Sequence, residues 1–258
     1  MPRFDGKAVI VTGAAMGIGA AVAEALAAEG ASVAAFDIDK DAVNATVEKI
    51  RAASGHAIAL CGDAREPSDV RDAVEKTVLE FHRLDGLAAI AGVLRVTPTV
   101  DSPDEHWRAV METNVRGPFL FARSVIPHLR ESGGGAIVMA ASVMAFASSP
   151  GAALYSASKG AVVSLTRSLA VELAADNIRV NSVAPGTVRT PMARGLAGEI
   201  APLDDIEETV ETLGKGHPLG RIIEPEEIAK VIEFLLSSDA SAVTGSCYVA
   251  DGGMLAHL

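Results

Sequence analysis

The sequence is poor in cysteine, in aromatic residues and in positive charge. Of its 258 residues only two are cysteines, Cys61 and Cys247, and 4% are aromatic. The two cysteines lie far apart and show no metal or redox spacing, which favours a reduced, intracellular compartment. With 33 acidic and 22 basic side chains the net charge is -11, which repels phosphate backbones and anionic lipids. We therefore expect no nucleic-acid or membrane partner, and a small-molecule substrate.

Long apolar segments are also missing. The first residues, MPRFDGKAVIVTG, reach Asp5 and Lys7 before any apolar run long enough for a signal peptide. No segment approaches the roughly 18 apolar residues of a membrane-spanning helix. We expect a cytoplasmic protein, and 49% hydrophobic residues is enough for one large core.

The sequence does contain short apolar runs that alternate with longer amphipathic segments of helical spacing. Continuous apolar runs are typical of parallel strands buried on both faces. The alternation predicts an α/β fold in which helices cover both faces of a seven-stranded parallel sheet. The runs are KAVIVTG, ASVAAFD, HAIALCG, LDGLAAIAG, GAIVMAAS, IRVNSVAPG and SCYVADGG.

A glycine-rich turn, TGAAMGIG, lies between the first predicted strand and the first predicted helix. Glycine lets the backbone approach a ligand, and the free N–H groups at a helix start attract a pyrophosphate. The spacing G-x-x-x-G-x-G differs from the commonest dinucleotide fingerprint, so the strand before it and the helix after it carry the hypothesis. A turn without a ligand is the alternative. The candidates are Gly13, Met16, Gly17, Ile18 and Gly19.

Two aspartates follow the second and third predicted strands. Asp37 lies 18 positions after Gly19, near the roughly 20-residue offset at which a carboxylate binds the ribose hydroxyls of NAD. Met16 and Ile38 are neutral where an NADP site would carry Arg or Lys, so charge favours NAD. Asp63 is placed to hydrogen-bond adenine. For both aspartates, capping the following helix is the alternative.

Tyr155 lies four residues before Lys159 in ALYSASKGAV, so on a helix both side chains share one face. A phenol of pKa about 10 must be lowered by about three units, or about 4 kcal/mol, to act as a base near pH 7. One positive charge about 4 Å away, at an effective dielectric of about 20, supplies that much. The pair predicts a catalytic phenol and its activating lysine. A half-buried ring beside a surface lysine is the alternative.

Two further residues favour a reactive centre. Ser142 follows the fifth predicted strand, at the sheet edge where α/β proteins bind ligands, and its hydroxyl is placed to hold a carbonyl oxygen. A turn serine is the alternative. Asn114 precedes Gly117 and Pro118 in a helical segment. Because proline lacks an N–H, the Asn114 carbonyl loses its intrahelical partner and is free to hold a relay water.

These motifs resemble the short-chain dehydrogenase/reductase family. TGAAMGIG, YSASK, NSVAPGTVRT and VADGG occur in the family's order over essentially the whole chain. The resemblance implies one Rossmann-type, doubly wound domain over residues 1–258, assembled as a homotetramer. It implies that Tyr155 transfers the hydroxyl proton, Ser142 positions the oxygen and Lys159 lowers the phenol pKa and binds the nicotinamide ribose. Asn114 anchors the relay water, completing a catalytic tetrad.

The resemblance also implies further contacts to NAD. The family usually has Asn-Asn-Ala-Gly after the fourth strand, and here Ala89 and Ile90 replace the asparagines. This change removes a side-chain hydrogen bond but no proton-transfer group, so we expect activity to survive. Besides the glycine turn, Asp37, Ile38 and Asp63, the cofactor candidates are Ala64, Ala91, Gly92, Tyr155, Lys159, Pro185, Gly186, Val188 and Thr190.

The predicted reaction is hydride transfer between NAD and a secondary alcohol or its ketone. The substrate-side candidates are mostly apolar, which favours a hydrophobic or cyclic substrate, although Met144 and Phe146 are alternatively core residues. Arg95 either meets an acidic substrate group or is solvated. Residues 191–217 form either a substrate lid or a surface helical excursion. The substrate candidates are Leu94, Arg95, Val96, Val143, Met144, Phe146 and Met192.

Two other functions stay open. The pattern also resembles a 3-oxoacyl-thioester reductase, a role that usually uses NADPH and a basic docking patch. Asp37 and the net charge of -11 argue against it. A non-catalytic NAD-binding sensor or scaffold is the other alternative, and the intact tetrad argues against that.

Overall fold

The computed structural model describes residues 2–200 and 205–257, which are built around a seven-stranded sheet in the order β3-β2-β1-β4-β5-β6-β7. Every neighbouring pair of strands is parallel, as predicted. The strands are β1 (Ala8–Thr12), β2 (Ser32–Asp37), β3 (His56–Cys61), β4 (Gly86–Ala89), β5 (Gly135–Ala140), β6 (Ile178–Pro185) and β7 (Cys247–Ala250).

Helices cover both faces of this sheet. In β1 the side chain of Ile10 enters the core on one face, and those of Val9 and Val11 enter the core on the other. This alternation explains why the strands are apolar throughout. The helices are α1 (Gly17–Ala28), α2 (Lys40–Ala52), α3 (Pro67–Phe81), α4 (Asp104–Met111), α5 (Gly117–Glu131), α6 (Ala153–Leu173), α7 (Pro191–Ile200), α8 (Ile206–Gly214), α9 (Pro225–Leu236) and α10 (Met254–His257).

The predicted lid corresponds to α7 and α8, and its residues 201–204 lie outside the described residues. Ala197 and Val210 pack with Ile222 in a small apolar cluster separate from the two main cores. Within the described ranges, none of the helices has the length and apolar character that crossing a bilayer requires.

The strand order reverses between β1 and β4, and at such a point the loops leaving the sheet diverge and open a crevice. The end of β1 is tied to the turn after β4, because the Thr12 hydroxyl accepts hydrogen bonds from Ile90 N (3.0 Å) and Ala91 N (3.1 Å). This altered turn is therefore held through its backbone, with Ile90 packed against the core.

At the amino ends of the strands, away from the cleft side, Asp85 links the start of β1 to the start of β4. Its carboxylate accepts hydrogen bonds from Arg83 Nη2 (2.6 Å), Lys7 Nζ (3.1 Å) and Ala8 N (2.9 Å). Burial raises the pKa of the Asp85 carboxyl, but these donors together outweigh burial and hold the pKa below its ordinary 3.8. A lowered folded-state pKa stabilises the fold above the unfolded pKa, and this contribution is lost as pH falls through the folded value.

Asp85→Asn is therefore expected to lower the free energy of unfolding by about 2 kcal/mol at pH 7, because hydrogen bonds to a charged group are weakened. Urea denaturation should show the difference from wild type shrinking below about pH 4, where wild type loses the same contribution. Asp5→Asn, at an exposed residue, is the control and should leave stability unchanged. A difference that is constant with pH would contradict the role of the charge.

Candidate active site

A cleft of about 590 Å³ opens at the carboxyl ends of β1 to β4. Most of the predicted cofactor residues line it, together with Arg95 and Met192 from the predicted substrate side. Tyr155 and Lys159 on α6, and Pro185, Gly186 and Val188 at the end of β6, are not in its lining. The cofactor candidates that line it are Gly13, Met16, Gly17, Ile18, Gly19, Asp37, Ile38, Asp63, Ala64, Ala91, Gly92 and Thr190.

The glycines of the turn are required by close packing against neighbouring backbone. Gly13 and Gly17 have φ of +69° and +55°, a region that favours glycine. A Cβ on Gly13 would lie 2.8 Å from Ala91 N, and one on Gly19 would overlap the Gly13 carbonyl. The Met16 position at the start of α1 receives no side-chain cap from the described part of the chain. The first N–H groups of α1 are thus left for an anion, which fits the pyrophosphate of a dinucleotide.

Asp37 does not cap α2. Asp39 does so instead, with its Oδ1 accepting a hydrogen bond from Ala42 N at 3.0 Å. The Asp37 carboxylate accepts one bond per oxygen, from Ala15 N and from Asp39 N, each at 3.0 Å. Each oxygen keeps a free lone pair at the wall of the cleft, as two ribose hydroxyls would require.

Asp63 forms a forked ion pair with Arg65, which also lines the cleft. Arg65 Nη2 lies 2.5 Å from Oδ2, and Nε lies 2.9 Å from Oδ1. The Arg65 side chain lowers the pKa of the Asp63 carboxyl by more than burial raises it. Asp63 does not cap α3, because Glu66 occupies the N-cap position without a side-chain cap and the Asp63 carboxylate accepts from Arg65 N at 2.9 Å instead. The sequence argument missed Arg65, although its position two residues after the aspartate was the available signal.

Lys159 is buried on α6, so the alternative interpretation of a surface lysine beside the ring is wrong. Its Nζ donates a hydrogen bond to Ala140 O at 2.7 Å and lies 5.5 Å from the centroid of the Tyr155 ring. Burial lowers the pKa of the Lys159 ammonium to about 8. The positive charge of Lys159 is therefore held at the end of β5, near the Tyr155 ring, although burying this charge costs free energy.

The phenol is not activated by the lysine alone. Burial raises the pKa of Tyr155, and hydrogen bonding by the neighbouring Ser142 hydroxyl opposes this only in part. The Tyr155-x-x-x-Lys159 spacing predicts a lowered phenol pKa, and the direction found is the opposite. The reason is that desolvation of the phenol is the largest cause of the shift, and the Ser142 hydroxyl, rather than the Lys159 charge, is what opposes it.

Asn114 lies in a π-helical turn, Glu112–Arg116, between α4 and α5, where the sequence predicts an interrupted helix. It is 1% exposed, and its side chain both accepts from Val93 N (2.8 Å) and donates to Val93 O (2.9 Å). The same amide donates to Ser158 Oγ at 3.1 Å, and that hydroxyl donates to Tyr155 O at 2.7 Å. Ser158, which the sequence argument missed, thus links Asn114 to the helix that carries the phenol.

The predicted substrate residues differ in exposure. Phe146 is 50% exposed and Met192 38%, and Met144 is half-buried, so the alternative of a core role does not hold for Phe146. Val143 is buried. Arg95 is exposed, and its Nη1 donates to Leu94 O at 2.8 Å. Of these candidates, Arg95 and Met192 line the cleft, and the others do not.

The fold and the cleft first define the class: an α/β protein that binds a dinucleotide where the strand order reverses. A family model described as enoyl-(acyl carrier protein) reductase matches residues 13–255. Cyclopentanol dehydrogenase of Comamonas sp. is 39% identical over 257 residues, covering 100% of both chains.

Two further comparisons, one with a sequence relative and one with a solved structure, also match oxidoreductases over nearly the whole chain. The 3-oxoacyl-(acyl-carrier-protein) reductase FabG of Thermotoga maritima is 38% identical over 253 residues, covering 98% of this chain and 99% of that protein. The crystal structure of levodione reductase matches with a TM-score of 0.95 at 33% identity, covering 99% of this chain and 100% of that chain. The chain belongs to the short-chain dehydrogenase/reductase family. It is an oxidoreductase that acts on alcohols and ketones with a nicotinamide cofactor.

Proposed function

We propose that this enzyme transfers hydride between NAD and a hydrophobic, cyclic secondary alcohol or its ketone. The observation that carries the proposal is the Tyr155–Lys159 pair, with the lysine buried, beside a cleft whose ribose end presents the Asp37 carboxylate. The exposed, apolar Met192 in the lining of the cleft favours a substrate without charge. The similarity to cyclopentanol dehydrogenase supports a cyclic one.

Four residues of the chain have separate roles in the proposed reaction. In alcohol oxidation Tyr155 accepts the hydroxyl proton, and in ketone reduction it returns that proton. Ser142 holds the substrate oxygen beside the phenol, and Lys159 supplies a fixed positive charge. A bound nicotinamide would supply the hydride acceptor for oxidation, and its oxidised ring would bring positive charge to the side of the phenol. Asn114 fixes the turn after β4 against α6, which keeps the phenol in register with the cleft.

The preference for NAD rests on Asp37. A 2′-phosphate at this position would face a carboxylate of like charge, whereas two hydroxyls would meet free lone pairs. Arg65 carries positive charge nearby, but its guanidinium is already paired with Asp63. The positive charge of Arg65, which could otherwise bind a 2′-phosphate, is therefore already paired with Asp63.

Asp37→Ala is expected to lower kcat/KM with NAD by about 10- to 100-fold, because hydrogen bonds to a charged group are lost. The kcat/KM with NADP should change little, so the ratio of kcat/KM with NAD to kcat/KM with NADP should fall. Asp39→Ala is the matched control, since it removes a neighbouring carboxylate that caps α2 instead. A wild-type enzyme that prefers NADP would overturn the cofactor proposal.

A 3-oxoacyl-thioester reductase is the second candidate, and the similarity to FabG favours it. The net charge of -11 argues against docking an acidic carrier protein. Assays with a 3-oxoacyl thioester and with a cyclic ketone, each with NADH and NADPH, separate the two. Faster turnover of the thioester would replace the leading proposal.

Two features remain predictions: the homotetramer that the family resemblance implies, and the lid that the position of residues 191–217 after a strand end suggests. A homotetramer would cover apolar surface that one chain leaves open, including Tyr248 and Val249 on the edge strand β7 and Trp107 on α4. The helices α7 and α8 follow the end of β6, and we propose that they close over the cleft as a lid.

A further inference from the structure

His217 is a buried histidine to which the proposed chemistry assigns no role. It is 2% exposed and lies between the segment that leaves β6 and the loop that leaves β7. Its Nδ1 lies 2.8 Å from Arg221 O, and its Nε2 accepts a hydrogen bond from Thr187 N at 3.0 Å. A carbonyl oxygen only accepts, so the proton is on Nδ1, and the lone pair of Nε2 faces the Thr187 N–H. Both ring nitrogens are satisfied by the backbone in the neutral form.

Two glycines make the space for this ring. A Cβ on Gly186 would lie 2.6 Å from His217 Nε2, and one on Gly252 would lie 3.0 Å from His217 Cβ. Gly186 therefore has a physical reason to be glycine that differs from contact with a cofactor. Gly252 has φ of +60°, so a side chain there would be strained as well. The imidazole fits between the two loops only because both positions lack a side chain.

The segment that His217 holds continues into the wall of the cleft. Thr187 O accepts a hydrogen bond from Ile223 N at 3.2 Å, and Arg189 N donates to Ile223 O at 2.9 Å. Thr190 then lines the cleft, where its Cγ2 would lie 3.0 Å from a Cβ on Gly17. Backbone bonds to Ala250 O and to Ile223 also hold this segment, and the His217 bond to Thr187 N is its side-chain tie on the way to the cleft wall.

We infer that His217 is a positioning residue: through its bond to Thr187 N it sets the backbone of residues 186–190 for the nicotinamide half of the cofactor. It acts through that backbone and does not touch the substrate. The inference rests on the proposed function, because it takes this segment as the wall of the nicotinamide end.

A pair of variants separates the two bonds of the ring. Gln places its amide near the position of Nε2 and can still accept from Thr187 N, whereas Asn places its amide near Nδ1 and can still donate to Arg221 O. Each variant keeps one hydrogen bond and loses the volume of the ring, so the two should lose similar thermal stability. Only His217→Gln keeps the bond to Thr187 N, the residue that leads into the cleft wall.

The experiment measures Kd by calorimetry for the nicotinamide dinucleotide that wild type binds, and for ADP, which has only the adenine half. His217→Asn should raise the dinucleotide Kd about tenfold and leave the ADP Kd unchanged. His217→Gln should keep both within about threefold of wild type, and its kcat should exceed that of His217→Asn. Equal weakening by both variants, or a loss that includes ADP, would overturn the inference. Failure of wild type to bind either dinucleotide would instead overturn the proposed function.

Discussion

Tyr155→Phe is expected to lower turnover by about 10²- to 10⁴-fold, the usual contribution of a positioned acid or base, while cofactor binding stays near wild type. The change removes one hydroxyl and leaves the ring on α6, where the Tyr155 carbonyl still accepts from Ser158. Packing and the Asn114–Ser158 link are therefore preserved. Steady-state rates in both directions, with the cofactor Kd measured separately, distinguish lost proton transfer from lost binding.

The chain's second tyrosine provides a matched control. Tyr248 lies on the edge strand β7 and packs against Phe234, with ring centroids 5.9 Å apart. Tyr248→Phe should leave the rate unchanged. A Tyr155→Phe enzyme that keeps a near-normal rate would rule out this phenol as the proton carrier.

Lys159→Met is expected to lower turnover by about 10²-fold or more and at the same time to stabilise the fold. Burial lowers the pKa of Lys159 from 10.5 to about 8, so the folded state holds the proton less tightly than the unfolded chain. A shift of that size corresponds to about 3 kcal/mol of destabilisation while the lysine is charged in both states, below about pH 8. Loss of the bond to Ala140 O offsets about 1–2 kcal/mol of the gain.

The net effect at pH 7 is a rise of about 1–2 kcal/mol in the free energy of unfolding, measured by urea denaturation. The gain should shrink as pH rises from about 8 to about 10.5, because wild type then loses its buried charge. Lys49→Met is the control, since Lys49 is 70% exposed and pairs with Glu24 on the surface. A Lys159→Met protein less stable than wild type at pH 7 would show that the lysine stabilises the fold.

The fold could be predicted from the sequence because its signal is local. A strand buried on both faces must be apolar at every position, as β1 is, and the helices between strands carry their own spacing. The family could be predicted for the same reason, since the glycine turn and YSASK are contiguous motifs. The tetrad roles and the bounds of the lid stay predictions.

Apart from Arg65, which pairs with Asp63 two positions away, the residues that were missed make contacts between distant segments. Ser158 joins Asn114 to α6 across 44 positions, and the Thr12 hydroxyl holds the turn at Ile90 across 78. His217 meets Thr187 across 30 positions. Such pairs leave no periodic signal along the chain. The pKa direction of the phenol was wrong for a related reason, since desolvation depends on packing that the sequence does not specify.

The most direct test of the central claim follows the absorbance of reduced nicotinamide when the purified enzyme is given cyclopentanol or cyclohexanol. The assay is run with NAD and with NADP, and in reverse with the ketones. We expect turnover with NAD that exceeds turnover with NADP, and its loss in Tyr155→Phe. Tight NAD binding without turnover of any alcohol or ketone, or turnover that persists in Tyr155→Phe, would contradict the proposed function.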